Sequence, residues 1–307
     1  MTFIPASRPN IYTGSPLDRA GERRDDAAWI GAQLLDPGTR VVPVWRSRSL
    51  LREDAGRLLA AYLSGPDAAA VVQAAGPWAF LGTQDGRAVF AADLSAHDDP
   101  APLVPAGQGA FKDLRTVPGG LPPDDAAILA HARGLMHWRL RHLHCGACGT
   151  ACEPRSAGNA MACPGCGAQH FPRTDPAVIM LVHRADRVLL GHSARFPKAT
   201  MYSTLAGFVE PGESLEEAVA REVMEESRIG VGAVHYHSSQ PWPFPASIML
   251  GFYAEGLTDD ITIDPAELRD ARWFTRAELA DPGAHGFSLP RRDSIARRLI
   301  EDWMAHA

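Results

Sequence analysis

Residues 214–229, Ser-Leu-Glu-Glu-Ala-Val-Ala-Arg-Glu-Val-Met-Glu-Glu-Ser-Arg-Ile, put carboxylates on a stripe that a helix needs for its apolar side chains. Ser214 and Glu217 have the spacing of a capping box, which predicts a helix from Leu215 to about Arg228. Advancing about 100° per residue from Leu215 brings Val219, Glu222, Glu226 and Ile229 within about 40° of it, with Ala218 near 60° and Glu225 near 80°. One reading is a solvated acidic face with Arg221 as local partner. The other is a core-facing stripe, and there unpaired carboxylates cost several kcal/mol each. Divalent cations remove that conflict, because carboxylates at i, i+3 and i+4 suit oxygen-loving Mg²⁺ or Mn²⁺ bridging to substrate phosphates.

The rest of the chain limits what such a site can serve. At 307 residues it has room for two or three domains, and its formal charge of −6 gives no basic surface for sequence-blind nucleic-acid binding. A polyanionic substrate must therefore be met by bound cations and local arginines. No stretch reaches the roughly 18 apolar residues that span a bilayer, and the start lacks the apolar run of a signal peptide, so no membrane is involved. Of five cysteines, four form Cys145-x2-Cys148-x14-Cys163-x2-Cys166, the spacing of a zinc ribbon. Four thiolates close the tetrahedron, so one structural Zn²⁺ per chain is expected, against an empty or redox site. Cys152 lies outside the pattern, and His144 and His170 are the nearby alternative ligands. Reduced thiols point to a cytoplasmic protein.

Gly207-x5-Glu213-x7-Arg221-Glu222-Val223-x-Glu225-Glu226 resembles the Nudix box, G-x5-E-x7-R-E-U-x-E-E-x-G-U with U aliphatic. The resemblance implies an α+β chain with a Nudix fold, a mixed sheet between helices. It implies that Glu222, Glu225 and Glu226 bind Mg²⁺ or Mn²⁺, that the Ala206 carbonyl adds a ligand, and that Arg221 orients the carboxylates. One position departs: Arg228 stands where the box has its helix-ending glycine, leaving either a strained arginine or termination at Gly230.

Ser239-Gln240-Pro241-Trp242-Pro243-Phe244-Pro245-Ala246-Ser247 alternates prolines with aromatics. It reads either as a stiff loop presenting rings to a flat base, or as a rigid connection whose aromatics plug the core. It resembles the S-Q-P-W-P-F-P-x-S array of the NADH pyrophosphatase branch of Nudix hydrolases, which also carries the zinc ribbon. That resemblance is close from about 145 onward. It implies hydrolysis of NADH and NAD⁺ to the nicotinamide mononucleotide and AMP, removal of NAD caps from RNA, and a homodimer. By motif, Gln240, Pro241, Trp242, Pro243, Phe244, Pro245, Ala246 and Ser247 would line the substrate. Phe171 and Phe208 would stack a base, and Ala296 would touch the nucleotide through its backbone. Phe171 is commonly Tyr in relatives, so a hydroxyl contact is lost. Glu267 would join the metal site, although Asp264, Pro265 and Glu267 also make a good helix N-terminus. A Nudix hydrolase acting mainly on ADP-ribose or another dinucleoside pyrophosphate, and a catalytically inactive nucleotide-binding module, are the competing readings.

The sequence divides into an N-terminal α/β domain over 1–135, a ribbon over 140–172 and a Nudix domain over 173–307. In the first, strands are expected at Arg40–Trp45, Ala69–Ala74, Trp78–Leu81 and Ala88–Phe90, helices at Ser49–Leu63 and Asp124–Leu143, and a linker or surface loop over His97–Gly120. In the last, a hairpin over Ala177–Val182 and Arg187–Gly191 is followed by strands near Val234–Ser238, Ile248–Ala254 and Trp273–Phe274 and a helix over Asp293–Ala305. His235 and His237 read as exposed strand positions.

Overall fold

The computed structural model describes residues 6–117 and 119–306, which fall into two compact units. One unit comprises Tyr12–Thr174 with Trp242–Ala246. The other comprises Asp175–Pro241 and Ser247–Ala307 with the chain up to Ile11. Both the ribbon cysteines and the Trp242–Ala246 loop therefore count with the amino-terminal unit.

That unit runs α1 (Ala27–Leu35), β1 (Arg40–Trp45), β2 (Arg48–Asp54), β3 (Arg57–Ala60), α2 (Gly65–Ala74), β4 (Trp78–Gln84), β5 (Arg87–Asp93), β6 (Ala110–Lys112) and α3 (Pro123–Arg141). Its sheet has the order β3-β2-β1-β5-β4, with β6 on β2, and β1–β5 is its parallel pair. Two expectations fail here. Ser49–Leu63 is a hairpin and not a helix, because Ala55 and Gly56 both take positive φ (48° and 76°), the two left-handed residues of a primed hairpin turn. An Ala in the first position hides that signal. Ala69–Ala74 is the end of a helix and not a strand: Pro66 starts it, and its alanines favour helix. Within His97–Gly120, Ala110–Lys112 pairs with β2. The ribbon follows as β7 (Glu153–Arg155), β8 (Ala160–Ala162) and β9 (Gln169–His170).

The second unit contains β10 (Asp175–Arg184), β11 (Arg187–His192), β12 (Leu205–Phe208), α4 (Leu215–Ser227), β13 (Val231–Trp242), β14 (Ser247–Gly256), β15 (Asp270–Thr275), α5 (Arg276–Ala280) and α6 (Ile295–Ala305). The sheet order is β13-β14-β10-β11-β15, with β12 on β10 and with β10 and β14 parallel. Alternate residues of β10 enter different cores: Val178, Met180 and Val182 meet Val219 and Val223 of α4, whereas Ile179 and Leu181 meet Leu299 and Trp303 of α6. Burying such side chains on both faces, at about 1.5–3 kcal/mol each, fixes the sheet between its helices. This is the mixed sheet the resemblance implied. His237 corrects an expectation. It is buried, with its Nε2 3.0 Å from Asp302 Oδ2 and its Nδ1 2.8 Å from Ser238 Oγ, because α6 covers that side of β13. His235 is exposed, as expected.

The capping box at Ser214 forms, and α4 ends at Arg228, whose φ of 59° and ψ of 17° are left-handed. The arginine itself takes the glycine's conformation, and Gly230 does not take over. Arg228 is exposed, so Arg228→Gly loses no packing and relieves the strain. It is expected to stabilise the protein by about 0.5–1 kcal/mol, net of the glycine's extra unfolded-state freedom, as checked by denaturant unfolding.

Candidate functional site

Carboxylate oxygens of Glu222, Glu226 and Glu267 lie within 4.8 Å of one another. The first two come from the buried stripe of α4. Glu267 arrives from the loop before β15, which is stitched to the end of α4: the Thr262 amide donates to the Ser227 carbonyl at 2.9 Å and the Asp264 amide to the Glu226 carbonyl at 3.2 Å. Residues 265–267 form a turn and not the helix start that was the alternative, with the Asp264 carboxylate accepting from the Ala266 amide at 2.8 Å.

Arg221 organises the surrounding acids. Its Nε and one terminal nitrogen hold Glu213 in a fork at 2.5 and 2.9 Å, and that terminal nitrogen also donates to the Phe208 carbonyl at 2.9 Å. The other terminal nitrogen donates to Glu222 and Glu225, both at 2.9 Å. All five N–H groups of the guanidinium are thus engaged, which no lysine could reproduce. Glu213, absent from the expected site residues, is the anchor of this hub, and its pKa is held down at about 2, first by the Arg221 hydrogen bonds. Glu225 is exposed and lies outside the trio, its carboxylate turned to Arg221.

The trio is electrostatically unfavourable by itself. Burial, then Glu267 and Glu222, push the Glu226 pKa up to about 8, although the Ala206 backbone amide donates to its carboxylate. Burial also raises Glu222, against the opposing pull of Arg221. Three oxygen donors converging there fit a hard divalent cation, whose charge would draw Glu222 and Glu226 into their ionised form. Ala206 stands beside them on β12 and is exposed. Next to it, a Cβ on Gly207 would fall 1.8 Å from the Glu222 carboxyl carbon, so only glycine leaves room for that carboxylate.

Other expected residues divide into free and engaged groups. Phe208 and Phe171 are exposed rings, each in its own unit. Gln240 is fully buried: its Nε2 donates to the Asp293 carbonyl at 2.8 Å and its Oε1 accepts from the Ile295 amide at 2.8 Å, so it caps α6 and has no side-chain group left for substrate. The Ser294 hydroxyl takes the Arg297 amide, leaving the Ala296 amide without a partner among the described residues. Phe244 is gripped by the Arg133 guanidinium 4.7 Å above its ring and by Tyr12 edge-on, whereas Trp242 is half-buried against it. Pro243 is buried, Pro241, Ala246 and Ser247 are half-buried, and Pro245 is exposed.

In the ribbon, the sulfurs of Cys145, Cys148, Cys163 and Cys166 also lie within 4.8 Å of one another, with Cys145–Cys166 at 3.7 Å and Cys148–Cys163 at 3.4 Å. Tetrahedral Zn–S bonds of about 2.3 Å require sulfurs about 3.8 Å apart, so the quartet fits Zn²⁺. The two knuckles repeat one design, with Gly149 and Gly167 in left-handed conformation donating to the carbonyls of Cys145 and Cys163. The backbone amides of Ala147 and Cys148 point at Cys145 and lower its pKa. His144, His170 and Cys152 stand outside the quartet. Purified protein is expected to carry about one zinc per chain that resists EDTA, and Cys163→Ser is expected to lower the unfolding temperature before it touches kcat. Metal analysis and thermal unfolding check both.

Family models match along most of the chain: a NADH pyrophosphatase-like rudimentary NUDIX domain at residues 38–138, the NADH pyrophosphatase zinc ribbon domain at 140–171 and the NUDIX domain at 173–297. Fold and site together define a Nudix hydrolase. Among its relatives, NAD-capped RNA hydrolase NudC of Stutzerimonas stutzeri is 44% identical over 225 residues, 73% of this chain and 76% of that protein. NAD-capped RNA hydrolase NUDT12 of Macaca fascicularis is 31% identical over 346 aligned positions, covering 96% of this chain and 73% of that protein. A solved NUDIX hydrolase from Nitrosomonas europaea is 21% identical, with a TM-score of 0.42, and the match covers 53% of this chain and 90% of that one. The chain belongs to the NADH pyrophosphatase family of Nudix hydrolases. Among the described residues no helix is long and apolar enough to cross a membrane.

Proposed function

We infer that the chain cleaves the pyrophosphate of NADH and NAD⁺ to the nicotinamide mononucleotide and AMP, and removes NAD from capped RNA 5′ ends. The observation that carries this reading is the intact carboxylate trio, with Glu222 held by Arg221, in a chain that also matches the ribbon and the rudimentary domain of this family. Relatives 44% and 31% identical to this chain are named for NAD-capped RNA.

Mg²⁺ or Mn²⁺ would be held by Glu222, Glu226 and Glu267, with Glu225 and the Ala206 carbonyl as further ligands. Such a cation supplies charge neutralisation at the pyrophosphate and lowers the pKa of bound water. The protein's part is to bring the ligands together and hold them oriented. Arg221 fixes Glu222 and Glu225, and the backbone ties at Thr262 and Asp264 fix Glu267. The Ala296 amide, at the start of α6 and unpartnered among the described residues, would donate to a nucleotide phosphate or base. Phe208 and Phe171 offer faces for stacking.

Steady-state kinetics on NADH, NAD⁺, ADP-ribose and NAD-capped RNA, with Mg²⁺ and Mn²⁺ in turn, tests the reading. Substrates containing nicotinamide are expected to be preferred to ADP-ribose. Trp242→Ala is expected to weaken kcat/KM for NADH about five- to 150-fold, the effect of losing one ring stacked on a base, while ADP-ribose falls much less. Equal losses on both would make Trp242 a packing residue.

A further inference from the structure

The amino-terminal unit holds a desolvated charge that has no ion-pair partner among the described residues. Arg139, near the end of α3, is 6% exposed, and its Nε and one terminal nitrogen are buried without a hydrogen-bond partner among the described residues. A guanidinium cannot shed its proton to escape this, so the position is costly unless an anion meets it. The side chain lines an open cleft of about 550 Å³, within the about 300–1,000 Å³ range of small-ligand sites. Arg24 lines the same cleft, and its Nε is likewise buried and unpartnered. Asp25, the one carboxylate among the lining residues, accepts from the Ser156 hydroxyl at 2.9 Å, and Arg155 is exposed and pairs with Glu153 at 2.7 Å. Among the described residues neither Arg139 nor Arg24 is paired with a carboxylate, and Asp25 is the single anionic side chain lining the cleft with them.

The lining also includes apolar groups, Ile30 and Leu34 of α1 and the half-buried indole of Trp78. The ribbon turn at its edge is fixed in place, since the Asn159 side chain donates to the Phe80 carbonyl at 2.9 Å and to the Ser156 carbonyl at 3.3 Å. The cleft is thus preformed, with both cationic and apolar groups in its lining.

We propose that this cleft binds a nucleoside monophosphate, its phosphate between Arg139 and Arg24 and its base against Trp78 and Ile30. A phosphate dianion brings two charges for the two guanidinium groups, whereas a carboxylate brings one. The apolar groups of the lining would not hold a bare phosphate and suit a ring instead. Burial lowers the Arg139 pKa, in keeping with a cation waiting for its partner. None of the carboxylate-trio residues lines the cleft, so the proposal stands apart from the hydrolysis reading.

The test is calorimetric titration of AMP, adenosine and inorganic phosphate into the zinc-loaded full chain without added Mg²⁺ or Mn²⁺. Saturable AMP binding is expected, at least tenfold tighter than either fragment. Arg139→Met should weaken it at least tenfold while leaving the ligand-free unfolding temperature equal or higher, because an unpaired buried charge is replaced by an apolar chain of similar length. Gly31→Leu is the second arm: its Cβ meets nothing within 4 Å, so the fold is kept while the leucine fills the cleft and weakens AMP binding. Glu226→Gln should leave AMP binding unchanged. The proposal is overturned if AMP does not bind, if affinity survives both cleft substitutions, or if it is lost in Glu226→Gln instead. It is also overturned if Arg139→Met dissociates an oligomer by light scattering without affecting AMP, since an acidic group of another copy would then be what Arg139 serves.

Discussion

Glu226→Gln is expected to lower kcat about a hundredfold or more while leaving the fold intact, since a carboxylate in direct reach of a catalytic cation contributes several kcal/mol to the transition state. Its effect on the metal-free protein should have the opposite sign. The Glu226 pKa is pushed up to about 8, above the 4.5 of a free glutamate, mainly by burial and then by Glu267 and Glu222. Between those values the unfolded chain is ionised at this position while the folded one keeps its proton, so this group's contribution to stability is fully present at low pH and is lost as pH rises through the window. Glutamine removes that dependence. Without divalent cations, the difference in unfolding temperature between the variant and the parent should therefore grow in favour of the variant from about pH 5 to about pH 8. Added Mg²⁺ or Mn²⁺ should stabilise the parent more. Full kcat in the variant would remove Glu226 from the mechanism. A pH-independent difference in unfolding temperature would mean that Glu226 does not carry the buried proton.

What the sequence disclosed and what it hid follow from the range of the interactions. The α4 stripe was legible because burial along a helix is a local rotation: Glu222 and Glu226 are buried and Glu225 is exposed, as their angles from Leu215 imply. The cysteine quartet was legible because knuckle geometry is set within a few residues. Glu267 could be named from the resemblance alone, since what delivers it is a pair of backbone bonds from Thr262 and Asp264 to α4, and no residue type announces those. Gln240 misled for the same reason. Its motif suggested a substrate-facing amide, yet Asp293 and Ile295, more than fifty positions away, occupy it. His237 was hidden by α6, whose Asp302 reaches it across 65 positions. Local errors had local causes, as at Ala55-Gly56, where two left-handed residues turn the chain without the usual Asn or Asp.

Gly207→Ala should be nearly as damaging as loss of a ligand, although it adds one methyl group to a strand. Gly207 has no unusual φ, so the requirement is space: the new Cβ would sit 1.8 Å from the Glu222 carboxyl carbon and about 2 Å from its oxygens. The obstructing atoms are the end of a flexible side chain, and β12 is held by its ladder to β10, with Val178 opposite Gly207. The carboxylate therefore yields and the backbone stays. Moving it breaks the 2.9 Å bond from Arg221 and takes one oxygen donor out of the trio, so kcat should fall about a hundredfold or more with little change in unfolding temperature. The route of the effect can be isolated with Glu222→Gln. If Gly207→Ala acts by displacing Glu222, the two substitutions remove the same contact, and the double variant should be no slower than the worse single one. Multiplying losses in the double variant would show that Gly207 acts through something other than Glu222, and near-normal turnover in Gly207→Ala would mean that the strand, not the carboxylate, gives way.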